Sequence, residues 1–325
     1  MKKIRSIIEQ YKTYEYKAIW KKIGGIYAIL DCVATQVFLG STAEEYIALE
    51  FWRKSFRERK KYLLARRNFR IYHYVKSHVT AEQFAHIGNK LSFNRLFKQY
   101  LHRDFLYAAE ADEDTVRVFI EKHGVILAKL LSNTQGKGIL RLTKEDIDDA
   151  LLKRLISGEY LLEEYIVQHP DFSKINSSSV NTVRITTAID SKGHAHIVGA
   201  CLRCGAAGSY VDNFHAGGIA YPIDTDVGVV IGAGKTPTSL EQYNVHPGSD
   251  IYMIGFKIPN WDILVSQVTK AAEVVPEMLF LGWDIAVTEG GFDIIEANIG
   301  QSGSVIQLDH KGRLKMLEDI LPITF

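Results

Sequence analysis

Asp284, Glu296 and Asn298 are the residues whose types and spacing speak most directly of chemistry in this 325-residue chain. They lie between Gly282 and Gly303, a segment that reads as two apolar strands joined at Glu289-Gly290-Gly291, a β-hairpin signal. A three-residue loop there sets Asp284 directly across from Glu296. Period-two alternation then places Glu296 and Asn298 on one strand face. Two carboxylates facing each other on half-buried strands repel and are costly to desolvate. A hard divalent cation removes that conflict, because Mg²⁺ takes one or two carboxylates, other oxygen donors and substrate phosphates. The placement depends on the loop, since a two-residue turn would shift the register by one. An ordinary hairpin with solvent-facing acids is the competing reading.

Two further constellations suit an anionic ligand. Lys129 ends an apolar strand and is followed by Ser132-Asn-Thr-Gln-Gly-Lys-Gly138, in which Gly136 and Gly138 flank Lys137. Such a loop brings backbone N–H groups close to phosphate oxygens, and lysines add point charge. Neither the Walker A spacing nor G-x-G-x-x-G is present, so a plain turn remains the alternative. Farther along, Asn181-Thr-Val-Arg184 and Arg203 precede Tyr210-Val-Asp-Asn-Phe-His-Ala-Gly-Gly218. Arginines among strand residues are seldom buried without an anionic partner. With Asp212, Asn213 and His215 they suggest a phosphate or carboxylate pocket; internal pairing to Asp212 or Asp224 is the rival. Cys201-Leu-Arg-Cys204 is a lone pair within a strand and reads as packing, not as a zinc site.

The elements that must carry these groups follow from periodicity. All seven prolines fall at Pro170 or later, so the first half can run as long helices. Ala43 to Lys76 reads as helix, with an apolar stripe through Tyr46, Leu49, Trp52 and Phe56. Ala81 to Leu101 reads as helix–turn–helix broken at Gly88-Asn89, and Glu110 to Lys122 as another helix. Strands are expected at Val125–Lys129, Tyr160–Val167, Thr182–Ile189, Ala195–Leu202 and Ile219–Ile223, with a helix from Ser266 to Leu279 before the hairpin. The edge of the Leu161–Val167 strand could offer alternating backbone donors and acceptors to an adenine.

Bulk properties set the limits. Composition is that of an ordinary globular protein, and a net charge of +1 gives no case for nucleic acid binding. Charge is uneven: Met1 to Arg70 holds sixteen Lys/Arg against seven Asp/Glu, whereas Gly255 to Phe325 holds five against ten. The basic stretch is a candidate surface for an anionic partner such as a lipid headgroup or a nucleotide-linked sugar, so peripheral membrane contact is one expectation. A solvated helix face is the other. The apolar stretch Gly24 to Gly40 is short and interrupted by Asp31 and Gln36, which reads as a buried helix. Three cysteines make no disulfide framework, and a cytoplasmic location is expected.

Taken in order, these pieces resemble the ATP-grasp superfamily. The Asn181-Thr-Val-Arg184, Leu202-Arg-Cys-Gly205, Val211-Asp-Asn-Phe-His-Ala-Gly-Gly218 and Glu296-Ala-Asn298 runs look most like its sugar-transfer-associated family, over about residues 40 to 320. The resemblance implies an α+β ATP-grasp fold, two subdomains clasping a nucleotide, preceded by a basic helical region at 1–80. The catalytic region would be 81–325, with a nucleotide-clasping part near 125–168 and a metal- and substrate-binding part at 169–325. It further implies ATP held by Lys90, Lys129, Gly136, Lys137, Gly138 and a hinge at Glu163, Glu164 and Ile166. Mg²⁺, or Mn²⁺ in its place, would sit on Asp284, Glu296 and Asn298. Arg184 and Arg203 would stabilise the transferring phosphoryl group, with Asn181, Asp212, Asn213 and His215 near the substrate. Leu130 departs from the proline common at that point in relatives, and the loop is poorer in glycine. The implied activity is a carboxylate–amine ligase using small-molecule acid and amine substrates, free or carried on a sugar nucleotide or lipid, in surface polysaccharide assembly. A kinase on the same scaffold and a non-catalytic nucleotide-binding scaffold are the alternatives.

Overall fold

The computed structural model describes residues 16–131, 138–205, 217–237 and 239–324. Its first part is helical: α1 (Tyr16–Ile23), α2 (Ile26–Leu39), α3 (Ala43–Ala48), α4 (Phe56–Arg59) and α5 (Ala65–His78). The single helix expected over Ala43–Lys76 is broken, and local signals explain where. Thr42 and Ser55 each form a capping box, with Glu45 and Glu58 respectively, and Glu50 takes a left-handed φ of 52°. Each cap satisfies N–H groups that a continuous helix would have bonded internally. The break expected at Gly88-Asn89 falls between α6 (Ala81–Gly88) and α7 (Lys90–Leu96), where the Asn89 side chain accepts from the Ser92 amide. The stretch expected as a buried helix is α2, and it is buried on one side only. Ala28, Cys32, Thr35 and Leu39 face inward, while Tyr27 and Phe38 are 81% and 71% exposed.

A four-stranded antiparallel sheet follows, built from β1 (Phe105–Tyr107), β2 (Val125–Leu130), β3 (Ile139–Thr143) and β4 (Tyr160–Glu164) in the order β1-β4-β2-β3. Two helices, α8 (Glu113–His123) and α9 (Asp149–Ser157), cover it. Val116, Ile120, Leu152 and Leu155 pack on Ile126, Ala128 and Leu162. The adenine-edge expectation for Leu161–Val167 needs correction. β4 stops at Glu164 and lies inside the sheet, paired with β1 on one side and β2 on the other. The Glu164 amide itself donates to Asp104 O at 2.9 Å. Any free backbone edge begins only beyond the strand.

The larger sheet has six strands in the order β10-β9-β5-β6-β7-β8: β5 (Thr182–Ile189), β6 (Ala195–Cys204), β7 (Ile219–Asp224), β8 (Val229–Val230), β9 (Phe280–Thr288) and β10 (Gly291–Ile299). One face presents Val183, Ile185, Trp283, Ile285 and Ile294 to the main core. Helices α10 (Pro170–Ile175), α11 (Trp261–Glu273) and α12 (Leu314–Ile320) complete this part, and Leu264 and Val268 of α11 join that core. The helix expected over Ser266–Leu279 starts earlier and stops short of Pro276, whose ring and missing N–H end a helix. No helix among the described residues is long and apolar enough to cross a membrane.

Candidate active site

The hairpin reaches its expected pairing by a different route. Thr288 pairs with Gly291, so the turn contains two residues, Glu289 and Gly290, and not three. Alone this would have moved Asp284 out of line. A β-bulge between Ile294 and Glu296 inserts the missing residue, and Asp284 pairs with Glu296 after all. The bulge also breaks strict alternation. Phe292, Ile294 and Ala297 belong to the core, leaving Asp293, Glu296 and Asn298 for the opposite face.

On that face Asp284 is the electrostatic centre. It is buried, and Arg184, its register partner on β5, donates through Nε to Oδ1 and through Nη2 to Oδ2 at 2.8 Å. Arg203 Nη2 lies 3.0 Å from Oδ2 and also donates to Thr182 Oγ1 at 2.8 Å. Burial opposes ionisation of Asp284, but the two guanidinium groups outweigh it and hold the carboxyl at about 2. Asn298 Nδ2 donates to Asp284 Oδ2 at 3.3 Å and to Glu296 Oε1 at 3.1 Å. Glu296 is reached by solvent, yet crowding removes much of its water. That and the charge of Asp284 push its carboxyl above the usual range.

The donor set fits a hard cation. Asp284 and Glu296 converge on the amide of one asparagine, so donor hydrogens stand between two carboxylates where a cation would neutralise both. An asparagine can turn its carbonyl oxygen inward instead. The arginines' carboxylate partner among the described residues is Asp284, not Asp224.

Lys129 on β2 is ion-paired with Glu163. Lys90, the first residue of α7, donates through Nζ to Leu130 O at 3.2 Å. Burial first, then the charge of Lys129, lowers its ammonium. The two lysines therefore converge at the end of β2. Gly138 has φ 73° just before β3, a conformation suited to glycine. Gly136, Lys137, Asp212, Asn213 and His215 lie outside the described residues. Ile166 is half-buried beyond β4. The Glu164 carboxylate accepts from the Asp104 amide at 3.0 Å. Asn181, expected near the substrate, is fully buried and braces the segment after β4. Its Nδ2 donates to Gln168 Oε1 at 2.9 Å and Asn176 O at 2.8 Å.

Sequence reasoning missed Arg103. It is buried between the two sheets' acids, pairing with Asp293 of β10 and, at 2.9 Å, with Glu163 of β4. Asn94 Nδ2 donates to the same Glu163 oxygen at 2.6 Å. Glu163 is held well below the usual range, against burial, by Arg103 and Lys129. Asp293 is met by Arg103 and by the amides of His102 and Arg103, and burial still keeps its carboxyl raised. One guanidinium thus links the hairpin of the acids to the strand that holds Lys129. The usable signal was Asp293, an acid set between Phe292 and Ile294 in an apolar strand. A cavity of about 420 Å³ opens just past β10, lined by Glu44, Glu45, Asn68, Tyr72 and Gly300 among others.

Two sheets with a cationic and acidic face between helical covers define an ATP-grasp protein, and comparison with known proteins agrees. The family model for sugar-transfer associated ATP-grasp matches residues 153–320, just over half of the chain, and the chain belongs to that family. Biotin carboxylase from Campylobacter jejuni shares the fold at 10% identity and a TM-score of 0.50, over 79% of this chain and 52% of that one. The ATP-grasp ligase PsnB, in complex with a phosphomimetic variant of its minimal precursor, Mg and ADP, is similar at 15% identity and a TM-score of 0.44, over 81% and 67%. D-alanyl-alanine synthetase A from Vibrio cholerae shows 13% identity and a TM-score of 0.43, over 74% and 61%. The chain thus spans between about half and two thirds of the length of these structures. None of the curated proteins compared matches it.

Proposed function

We propose that the chain is an ATP- and Mg²⁺-dependent carboxylate–amine ligase that acts on a sugar acid or amino acid in surface polysaccharide assembly. The observation that carries this reading is the single sheet face bearing Arg184, Arg203, Asp284, Glu296 and Asn298. Phosphoryl transfer asks of a protein mainly positioning and charge, and this face supplies both without a covalent nucleophile. Asp284, Glu296 and Asn298 would hold Mg²⁺, which when bound would neutralise the charge of nucleotide phosphates. Lys90 and Lys129 would steady the phosphates from the smaller sheet. The Gly136–Gly138 loop would close over them, and the backbone just past Glu164, at Ile166, would border the adenine.

A carboxylate oxygen of the substrate attacks the γ-phosphorus and ADP departs. Arg184 and Arg203 hold the spreading negative charge of the resulting acyl phosphate. The amine nitrogen then attacks the acyl carbon, phosphate leaves, and the nitrogen loses a proton. The acidic residues lining the cavity past β10 are Glu44 and Glu45, which suits an amine-bearing acceptor more than an acid. Asn181, Asp212, Asn213 and His215 remain proposed as substrate-side groups, Asn181 through the segment it braces.

Hydroxylamine tests the reading. An acyl phosphate is trapped as a hydroxamate when ATP, Mg²⁺ and the correct acid are present. ATP turnover with a panel of acids and no hydroxamate would reject the ligase. A stable phosphoester formed without any amine would establish the kinase instead.

A further inference from the structure

We infer that α2 seats the protein on an anionic lipid surface, lying in the membrane interface with its apolar stripe down. The helix is inside out. Its only charged residue, Asp31, bonds inward to Arg59 through both oxygens at 2.7 Å and accepts from Tyr46 Oη at 2.7 Å. Thr35 accepts from the same Arg59 at 2.8 Å. The outer side is an unbroken apolar stripe at helical spacing, with Ile26, Leu30 and Val37 each more than half exposed beside Tyr27 and Phe38. Phe56 extends the stripe, its ring 6.4 Å from that of Phe38. A contiguous apolar patch of this kind on a soluble-type fold marks an interaction surface.

Charge decides the occupant. Lys21 and Lys22 are exposed in the last turn of α1, at one end of the stripe. At the other end, Arg66 donates to Val37 O at 2.9 Å and Lys60 sits over the Phe56 ring. Glu58, the acid nearest Phe56 in sequence, is turned onto Ser55. A second copy of the chain would bring two such basic rims together, which is repulsive. The segment before α1 adds Lys2, Lys3, Arg5 and Lys12 against Glu9 and Glu15, so it too is basic. Negatively charged headgroups complement the rim, and acyl chains complement the stripe. At about 1.5 Å per residue α2 is far shorter than the roughly 30 Å hydrocarbon core, so it lies on the bilayer and does not span it.

Co-sedimentation of the full chain with vesicles tests this without nucleotide or turnover, so it stands apart from the ligase reading. Binding is expected to vesicles of phosphatidylcholine mixed with phosphatidylglycerol, to weaken with added salt, and to be lost with phosphatidylcholine alone. The emission of Phe38→Trp should shift to the blue on binding. The double change Leu30→Glu/Val37→Glu should lower binding about tenfold or more while the melting temperature holds, both side chains being exposed. Should it melt early, Phe38→Ser carries the same expectation without a new charge. No sedimentation with the anionic vesicles, or equal sedimentation of these variants, overturns the inference. So does a dimer in the ultracentrifuge that the double variant dissociates while vesicles stay unbound.

Discussion

Arg184 grips both carboxylate oxygens of Asp284 from the neighbouring strand, so the acid most central to the site is also its main structural anchor. Glu296, opposite it in the hairpin, accepts from the amide of Asn298 and makes no ion pair among the described residues. The two acids should therefore respond differently to removal of charge. Asp284→Asn removes the carboxylate that Arg184 grips through both oxygens and that Arg203 touches, which costs on the order of 3–5 kcal/mol. Glu296→Gln relieves a like-charge contact and should leave stability level or slightly improved. Both should abolish Mg-nucleotide turnover. Urea unfolding of the two variants beside an ATPase assay separates these outcomes, and equal destabilisation would refute the division of labour.

Proton and metal should compete at Glu296. Its carboxyl is raised, by burial first and by Asp284 second, so it holds a proton more readily than an ordinary glutamate. A cation must displace that proton, and Mg-nucleotide affinity should fall as pH drops through the raised value. Proton release on binding is measurable by calorimetry in buffers of different ionisation enthalpy. Glu296→Gln should erase it. Asp284 has the opposite sign, its carboxyl held at about 2, and stays ionised throughout this range.

Loss of Arg103 should be costly. Arg103→Met takes the guanidinium from Asp293 and leaves Glu163 with Lys129 and Asn94, with an expected loss of about 3–5 kcal/mol in urea unfolding. Neutralising all three together, as Arg103→Met with Glu163→Gln and Asp293→Asn, should recover much of that loss. A triple variant no better than the single one would show that the guanidinium contributes by some other route than these acids. Because Glu163 also holds Lys129, the single variant should raise the KM for ATP as well.

Local chemistry was readable in the sequence wherever neighbours along the chain decide it. The break at Gly88-Asn89 and the bounds of β5 needed only nearby residues. The Asp284–Glu296 pairing was legible for a reason partly mistaken: a two-residue turn and a bulge at Ile295 together give the register that one longer turn would have given. What stayed hidden was set by distant contacts. β4 became an inner strand because the three residues of β1, invisible as a pattern, pair along it. Arg103 joins residues 60 and 190 positions away, which no periodicity reveals. The outward apolar side of α2 was hidden too, since Asp31 looked like an interruption and is instead the inward anchor.

Glu45 should make the fold sensitive to alkali. Its Oε2 accepts from the amides of Thr42 and Ala65, and burial raises its carboxyl to about 8. Between the unfolded carboxylate range and that value the folded chain binds one proton more than the unfolded chain. Stability should therefore fall as pH rises across this window, the reverse of the usual carboxylate contribution. Glu45→Gln keeps the accepting oxygen and removes the titration. Denaturation midpoints taken from pH 5 to pH 9 should slope downward for the natural chain and less steeply for the variant, on the scale of ~1 kcal/mol per unit at most. Parallel curves would show that Glu45 is ionised throughout. An amine bound beside Glu44 and Glu45 would favour the charged carboxylate, so its affinity should rise over the same window and flatten in Glu45→Gln.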